Sequence, residues 1–266
     1  MIPLICRSSM RIHALTYVLA FISVAQSDLY AQSQPVAVQG VLDLSEYDFK
    51  RQGPVELEGE FEFYWNQRLN PALDQDSGEM IYTRVPGSWH RLKKVHPGVE
   101  RYGFATYRLT ILLPSQVDAI GFCMMDIFSS SSYFINGKAL DYLGFPGVNK
   151  YQTIIRHNRP LVIASVPSKE LDLIIHVSNF DYRLSGIVGG ITMGTAEQMT
   201  RARQKDLFRG HFLMGAFLII GIYFLGLSLI RWEKFRFYFA FICILMAARV
   251  VMILDLPVLE TLNING

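Results

Sequence analysis

The sequence lacks a disulfide framework. It contains three cysteines among 266 residues. Cys6 and Cys243 lie in strongly apolar stretches near the two ends of the chain, which leaves Cys123 alone between them. A single cysteine cannot form an internal disulfide, so the domain around Cys123 must be stabilised by its apolar core.

An excess of charge of one sign is also missing. The chain has 25 Lys and Arg residues against 23 Asp and Glu residues, which gives a formal net charge of +2. No run of basic residues occurs anywhere in the sequence. Nothing therefore indicates nucleic-acid binding, which depends on a concentrated positive patch.

Catalytic and metal-binding motifs are absent as well. The six histidines include no H-x-x-x-H pair, no two cysteines have metal-ligand spacing, and neither Gly-x-Ser-x-Gly nor a phosphate loop occurs. Four glutamates between positions 56 and 62 alternate with other residues. That spacing predicts the solvated face of a strand rather than the paired carboxylates of a glycosidase. We therefore predict a protein that is not an enzyme and holds no metal or cofactor.

Apolar residues are abundant, and they are concentrated at the two ends. The chain is 51% hydrophobic, with a mean hydropathy of +0.24. Arg7 and Arg11 precede an apolar run over residues 14–24, and small residues follow. This order predicts a secretory signal peptide over residues 1–31, or a signal anchor if it is not cleaved. Either form exports the domain behind it.

The C-terminal part predicts membrane helices. Thr195 and Gln198 form a capping-box pattern, so we expect a juxtamembrane helix over residues 195–211. Residues 212–230 are uncharged and span roughly 28 Å as a helix, enough to cross a bilayer. A second span is predicted over residues 237–254, with a cytoplasmic loop at 231–236. Residues 255–266 would be an extracytoplasmic tail at which a longer protein is truncated.

Basic residues flank the first span on both sides, so they do not decide its orientation. The signal peptide places the protein in the inner (cytoplasmic) membrane, with its N-terminal domain in the periplasm. Arg249 lies within the second span. An intramembrane arginine is either a functional group, such as an inter-helix partner or a switch, or a residue that snorkels to the interface.

The intervening residues 35–193 follow a period of two rather than 3.6. Apolar and polar residues alternate over residues 55–63, 107–113 and 171–177, whereas residues 119–127 are apolar on both faces and predict a central strand. Asn136-Gly137 is a strong hairpin signal. No segment has a helical period with caps. We therefore predict an all-β, jelly-roll sandwich followed by an α-helical transmembrane hairpin.

Five short motifs in this order carry a resemblance: LEGEFEFYW at 57–65, VPGSW at 85–89, YGFATYR at 102–108, FINGK at 134–138 and VSNF at 177–180. Together they resemble the galactose-binding-like jelly roll of β-galactosidase sugar-binding modules and of certain bacterial receptors. These are the seven-transmembrane receptors with diverse intracellular signalling modules. The resemblance extends over about residues 38–259. Because a membrane helix follows the motifs, the receptor branch is favoured, and it implies further helices and an output module.

A sugar site needs an aromatic platform and flanking polar groups. Core packing of Trp89 and turn capping by Asn179 are the alternatives to a role in such a site. Thr195, Gln198 and Arg249 are predicted to transmit the effect of binding. The predicted ligand-binding residues are Trp89, His90, Tyr102, Asn179, Asp181, Tyr182 and Arg183.

Three functions remain open at this point. The first is a sensor whose exported domain binds a small, carbohydrate-like ligand and moves the first membrane helix. The second is a membrane-anchored module that binds a carbohydrate or a protein without signalling, and the third is an accessory domain of a glycosidase. The expected partners are membrane lipid, the ligand, and other membrane helices or a signalling protein.

Overall fold

The computed structural model describes residues 34–71, 79–114, 117, 119–124, 130–155, 161–165, 168–230 and 233–253. The predicted signal peptide at 1–31 and the predicted tail at 255–266 lie outside the described residues. The strands are β1 Val41–Asp43, β2 Val55–Glu56, β3 Gly59–Trp65, β4 Ile81–Val85, β5 Gly103–Leu112, β6 Ala119–Met124, β7 Ser130–Ile135, β8 Lys138–Phe145, β9 Ile154–Ile155, β10 Leu161–Ser165, β11 Glu170–Asn179 and β12 Ile191–Thr195. The helices are α1 Phe49–Gln52, α2 Trp89–Leu92, α3 Ala196–Ile230 and α4 Lys234–Ile253.

The strands form two sheets that enclose one core. The larger sheet has eight strands in the order β4-β3-β5-β11-β7-β8-β9, with β1 beside β5. The smaller sheet has four strands in the order β10-β6-β12-β2. Among the described strands every pairing is antiparallel except that of β1 with β5. The predicted antiparallel sandwich is therefore confirmed.

The alternating residues make the core, as the period of two predicted. In β5 and β11 every second side chain points between the sheets and is buried, while those between them point outward. The buried members are Tyr107, Leu109, Ile111, Leu171, Leu173, Ile175 and Val177. Phe122 of β6 faces the same core from the smaller sheet, where β6 lies between β10 and β12 as a central strand.

The stretch at 55–63 differs from its prediction as one strand. β2 pairs with β12 in the smaller sheet, whereas β3 pairs with β4 and β5 in the larger one. The chain crosses between the sheets before Gly59, whose φ of 121° suits glycine. Val55 and Phe61, on either side of this crossing, are both buried. The alternation continues across it because both sheets face the same interior.

The β7–β8 turn and two one-turn helices are further local features of the sandwich. Asn136 and Gly137 have φ values of 46° and 77° and join β7 to β8, so the predicted hairpin is confirmed. The expectation that this domain has no helical segment is wrong, because α1 and α2 are single helical turns. Asp48 caps α1 by accepting from the backbone N–H groups of Lys50 and Arg51.

Helix α3 is continuous from Ala196 to Ile230 and joins the predicted juxtamembrane helix to the predicted first span. Of the described helices it is the one that is long and apolar enough to cross a membrane. Its most apolar 18-residue window has a mean hydropathy of 2.4 and is 11% buried inside the protein. Most of this apolar window is therefore exposed on the surface of the protein.

Helix α4 covers the predicted second span up to Ile253, and it begins inside the predicted 231–236 loop, at Lys234. The loop is shorter than predicted because Glu233 accepts the N–H groups of Arg236 and Phe237 and pairs with Arg236 at 2.9 Å. The buried contact between α3 and α4 consists of small side chains, and the rings of Phe224 on α3 and Phe239 on α4 also meet edge-on, with 4.7 Å between their centroids. The buried members of this seam are Gly221, Ser228, Ala240, Cys243 and Ala247.

Candidate functional site

Several loops meet at one end of the sandwich. Gly103, the first residue of β5, pairs with Asn179, the last residue of β11. We call the loops around this pair the loop end; it comprises residues 66–71, 146–153 and 180–190 and the segment 86–102, which starts beside Val85 at the other end of β4 and runs to Gly103. At the other end of the same two strands Leu112 pairs with Glu170. We call that opposite end the helix end, because Thr195, directly before α3, borders a groove with Pro114 there.

Hydrogen bonds hold the segments of the loop end together. The backbone N–H of Trp89 donates to Ser185 O at 3.1 Å, and that of Gly87 donates to Ile187 O at 2.7 Å. Lys150 forms an ion pair with Asp181. The segment that carries α2, the one-turn helix at 150–152 and the loop after β11 are thus neighbours. The tertiary structure creates this grouping from residues far apart in the sequence.

Trp89 does not form a ligand platform in this structure, which corrects its prediction as a binding residue. Its side chain is 1% exposed. Its Nε1–H donates to the hydroxyl of Tyr107 at 2.7 Å, and its ring meets that of Trp65 edge-on at 4.9 Å. Burial raises the pKa of Tyr107, so its hydroxyl stays protonated. The alternative of core packing is the one observed.

Asn179 is likewise a structural residue rather than an open ligand contact. It is fully buried. Its Nδ2 donates to Tyr182 O at 2.9 Å and to Arg101 O at 3.4 Å, and its Oδ1 accepts from Tyr182 N at 3.1 Å. The side chain therefore closes its own turn and joins that turn to the segment before β5. The predicted alternative of turn capping is confirmed.

The remaining predicted binding residues lie on the surface of the loop end. His90, Tyr102, Asp181, Tyr182 and Arg183 are all exposed, and Asp181 is engaged with Lys150. Tyr102 directly precedes Gly103, which pairs with Asn179, so Tyr102 lies beside the Asn179 turn. The structure brings these five residues to one end of the sandwich. Trp89 and Asn179 are buried, whereas these five residues are exposed at the surface, where a ligand could reach them.

Tyr151 is a further aromatic residue of the loop end, and its position in a turn of the sequence also makes it a candidate ligand contact. It is 98% exposed, on the one-turn helix next to Lys150. Asn149 caps that helix by accepting from Gln152 N at 3.0 Å. In the sequence, Asn149 is a residue type that favours turns, and it was the signal that Tyr151 lies in one. Its position beside Asp181 depends on the fold.

His176 is a buried histidine on the outward face of β11, covered by the segment after β3. Its Nε2 lies 3.0 Å from Leu69 O, and Thr106 beside it holds the same segment by donating to Gln67 O at 2.8 Å. Burial, with a further contribution from the charge of Arg68, lowers the pKa of His176 to about 4. The ring is therefore neutral at pH 7. The strand pattern marked this position as polar but gave no indication that a loop covers it.

A charged group occupies the outer face of the larger sheet. Arg108 Nε pairs with Asp172 Oδ1 at 2.8 Å, and both side chains are partly buried. Glu62 lies opposite Arg108 on β3 and accepts a hydrogen bond from the Tyr64 hydroxyl at 2.9 Å. Glu62 of the predicted glutamate face therefore belongs to a side-chain network, and Glu60 accepts a hydrogen bond from the backbone N–H of Gln39. Among the described residues, no group of three His, Cys, Asp or Glu side chains could hold a metal.

The helix end contains the predicted transmission residues Thr195 and Gln198. Gln198 Oε1 accepts from Thr195 N at 3.1 Å, and Gln198 N donates to Thr195 Oγ1 at 3.3 Å, so the capping box is confirmed. The side chain also donates through Nε2 to Phe49 O of α1. One glutamine thus caps α3 and attaches it to the sandwich.

Met199 provides an apolar attachment one residue further along. It is buried, and a Cβ placed on Gly121 would lie 2.8 Å from Met199 Cβ. Glycine at this position leaves room for the first turn of α3 on the outer face of β6. This contact explains why β6 is apolar on both faces.

Arg249, the third predicted transmission residue, is exposed on α4 and lies outside the seam with α3. It makes no ion pair with any residue that the structure describes. The inter-helix pair is therefore not observed. Arg249 stands four residues before the end of α4, at Ile253, a position that suits snorkelling to the interface.

No protein-family model matches this sequence, and no curated protein matches it. Among solved structures, it is similar to a GH2 β-galacturonidase from Eisenbergiella tayi bound to galacturonate, at 14% identity and a TM-score of 0.39, over 53% of this chain and 24% of the enzyme. A β-glucuronidase from Ruminococcus gnavus is 12% identical, with a TM-score of 0.39, over 53% of this chain and 28% of the enzyme. One from an uncultured Clostridium sp. is 13% identical, with a TM-score of 0.40, over 54% and 29%. The chain thus spans less than a third of each enzyme, and similarity at these TM-scores decides neither fold nor activity.

Proposed function

We propose that this chain is the ligand-sensing N-terminal part of a bacterial membrane receptor of the seven-transmembrane class. Its sandwich, a galactose-binding-like jelly roll exposed to the periplasm, binds a small, carbohydrate-like ligand at the loop end. Binding then alters the position of α3 in the inner membrane. The other membrane helices or a signalling partner convert this change into an output.

The direct connection between β12 and α3 is the observation that carries this proposal. β12 ends at Thr195 and α3 begins at Ala196, with no linker residue between them. Gln198 and Met199 attach the first turn to α1 and β6, in different parts of the sandwich. A helix held in this way follows movements of the strands, whereas a flexible linker would absorb them.

Distance across the sandwich is compatible with such a mechanism. β5 and β11 are each 10 residues long and connect the loop end to the helix end. At about 3.3 Å per residue they span roughly 33 Å. A continuous, hydrogen-bonded pair of strands is a stiff element, and both strands contribute to the same buried core. Ligand contacts at one end can thus bias the helix at the other.

The test uses the full chain in lipid nanodiscs. A thermal-shift screen against a glycan panel first identifies a ligand. Spin labels at Lys50→Cys and Gln204→Cys, two exposed positions on α1 and α3, then report the distance between sandwich and helix with and without that ligand. We expect the distance distribution to shift on binding.

A helix-breaking variant gives the matched comparison. Ala202 is exposed in α3, and proline there removes a backbone hydrogen bond and kinks the helix. We expect Ala202→Pro to retain ligand binding but to lose the shift of a label placed beyond the kink, whereas Ala202→Leu retains both. Binding without any shift would contradict a sensor and favour the membrane-anchored binding module. Hydrolysis of chromogenic glycosides by the chain would instead favour the glycosidase reading.

A further inference from the structure

Among the residues of the loop end that the structure describes, basic side chains outnumber acidic ones. The surplus comes from several separate segments rather than from one run, which is why the sequence shows no basic tract. The described basic residues there are Arg68, Arg91, Lys93, Lys94, Arg101, Lys150 and Arg183, and the acidic residues in or beside these loops are Glu79, Glu100 and Asp181. In the described part of the loop end, the fold therefore brings basic residues from several segments of the chain to one end of the sandwich.

Two of the three carboxylates are already engaged by lysines. Glu100 pairs with Lys93 at 2.7 Å, and Asp181 pairs with Lys150. Arg101 and Arg183 form no ion pair with a carboxylate in the described part of the chain. Arg183 is exposed and Arg101 is half-buried.

Arg101 and Arg183 belong to two segments that the buried side chain of Asn179 joins. Its Nδ2 bonds to Arg101 O and to Tyr182 O, one residue before Arg183. Each arginine is next to a tyrosine with an exposed ring, Tyr102 at 47% and Tyr182 at 36%. A pair of guanidinium groups and a pair of aromatic rings therefore lie on neighbouring turns that one residue holds in place.

This combination has a specific chemical meaning. A guanidinium group binds a carboxylate through two parallel hydrogen bonds, and an exposed aromatic ring packs on the apolar face of a sugar. A neutral sugar would use the rings but gain little from the arginines. A simple inorganic anion would use the arginines but not the rings. A sugar that carries a carboxylate would use both.

The helix end of the sandwich does not show this surplus of basic side chains among its described residues. Acidic and basic residues are mixed there, with Asp43, Glu46 and Asp48 beside Lys50 and Arg51. The helix α3 also leaves the sandwich at that end. The basic surface is therefore turned away from the point where the chain meets the membrane, which favours a soluble anion over the head groups of that bilayer.

We infer that the loop end binds an acidic carbohydrate, with Arg101 and Arg183 holding a uronate carboxylate and Tyr102 and Tyr182 packing on the sugar rings. This inference rests on the proposed ligand-binding function and specifies the class of its ligand. It assigns to Asn179 a positioning role, since its three hydrogen bonds set the distance between the two arginine-bearing turns.

Matched pairs of probes test the charge directly. Short oligomers of galacturonate, of guluronate and of the glucuronate-containing polymer hyaluronan are each titrated by calorimetry into the full chain in nanodiscs, beside their uncharged methyl esters. We expect at least one acid to bind about tenfold or more tightly than its ester, because a charge-assisted hydrogen bond is lost in the ester. We also expect its affinity to fall as salt is raised.

Variants locate the site. Arg183→Gln and Arg101→Gln should each weaken binding of that acid about tenfold, and Arg183→Lys, which retains the charge, should weaken it less. Arg51→Gln, at the helix end, removes an exposed arginine and should leave the affinity unchanged. The thermal unfolding of each variant is compared with that of the parent chain, so that a loss of folding is distinguished from a loss of contact.

Three outcomes would overturn the inference. If acids and esters bind equally, or a neutral glycan from the panel binds and is insensitive to both arginine variants, the ligand is not acidic although the proposed function stands. If inorganic phosphate binds as tightly as the acids, the site is an anion site without sugar recognition. If no acid, ester or panel glycan binds, both the inference and the proposed function fail.

Discussion

The sandwich and the helical hairpin bury opposite kinds of side chain. Between the sheets the buried residues are large, among them Trp89, Phe61, Phe63 and Tyr107. Between α3 and α4 they are small, and large apolar residues such as Ile219 and Phe235 face outward instead. The sandwich therefore depends on removing apolar surface from water, whereas the hairpin depends on close contact between backbones. The two parts therefore differ in which side chains they bury and which they expose.

The largest expected difference is the response to loss of a large apolar side chain. Leu109 is fully buried in the middle of β5, so Leu109→Ala should lower the free energy of unfolding of the sandwich by about 2–5 kcal/mol. Ile219 on α3 is exposed, and Ile219→Ala should change it by less than about 0.5 kcal/mol. Urea unfolding in nanodiscs, followed by tryptophan fluorescence, measures both. Equal losses would contradict the comparison.

Acid should destabilise the sandwich through His176. Its pKa is about 4 in the folded protein and about 6.5 in an unfolded chain. The unfolded state therefore binds a proton first as the pH falls, and stability is lost between pH 6.5 and 4, by about 3 kcal/mol at the lower limit. Unfolding measured from pH 7 to pH 4 checks this.

His176→Gln should remove this loss. Between pH 7 and pH 4, its free energy of unfolding should therefore fall by about 3 kcal/mol less than that of the parent chain. His90→Gln, at an exposed position, serves as the control and should leave the profile of the parent chain in place. An unchanged slope in the His176 variant would assign the acid sensitivity to the carboxylates instead.

The seam between the helices should be sensitive to added volume rather than to lost volume. A Cβ on Gly221 would lie 3.0 Å from Ile244 Cγ1 and 3.4 Å from Ala240 O, whereas a Cβ on Gly226 meets nothing within 4 Å. Gly221→Leu should destabilise the helix pair by about 1–3 kcal/mol, as overpacking does. Gly226→Leu is the matched control. Spin-label distances between α3 and α4 report the separation, and a similar effect of both substitutions would be inconsistent with the seam.

The smallest effect is expected where the two parts join. Gln198→Ala removes half of the capping box and the bond to Phe49 O, and should cost about 1–2 kcal/mol. Hydrogen exchange should quicken in the first turn of α3 and not in the seam. Gln204→Ala, at an exposed position in the same helix, should do neither. Exchange that quickens along the entire helix would mean that α3 depends on its cap throughout.

Predictions from sequence succeeded where one short segment supplied the whole signal. The hairpin at Asn136-Gly137 and the capping box at Thr195 and Gln198 depend on residues a few positions apart, and both are present as predicted. The period of two identified the buried faces of β5 and β11 for the same reason. Local backbone geometry is determined by neighbours in the chain.

Predictions of the site were less successful, because exposure depends on distant residues. Trp89 has the side chain of a sugar platform, yet Tyr107 and Trp65 enclose it. Asn179 has the side chain of a ligand contact, yet its Nδ2 donates hydrogen bonds to Tyr182 O in its own turn and to Arg101 O. No pattern around either residue distinguishes these outcomes. The flanking residues Tyr182 and Arg183 lie in the same loop and remain exposed.

By itself the sequence determined the alternating faces of the strands, the tight turn at Asn136 and the start of α3, since each follows from the preferences of adjacent residues. Only the tertiary structure decided that residues 55–63 divide between two sheets, and that Arg101 and Arg183 lie on turns joined by Asn179. Those outcomes depend on which strands pair and which surfaces are buried together. That choice is a property of the entire core, so no single segment can specify it.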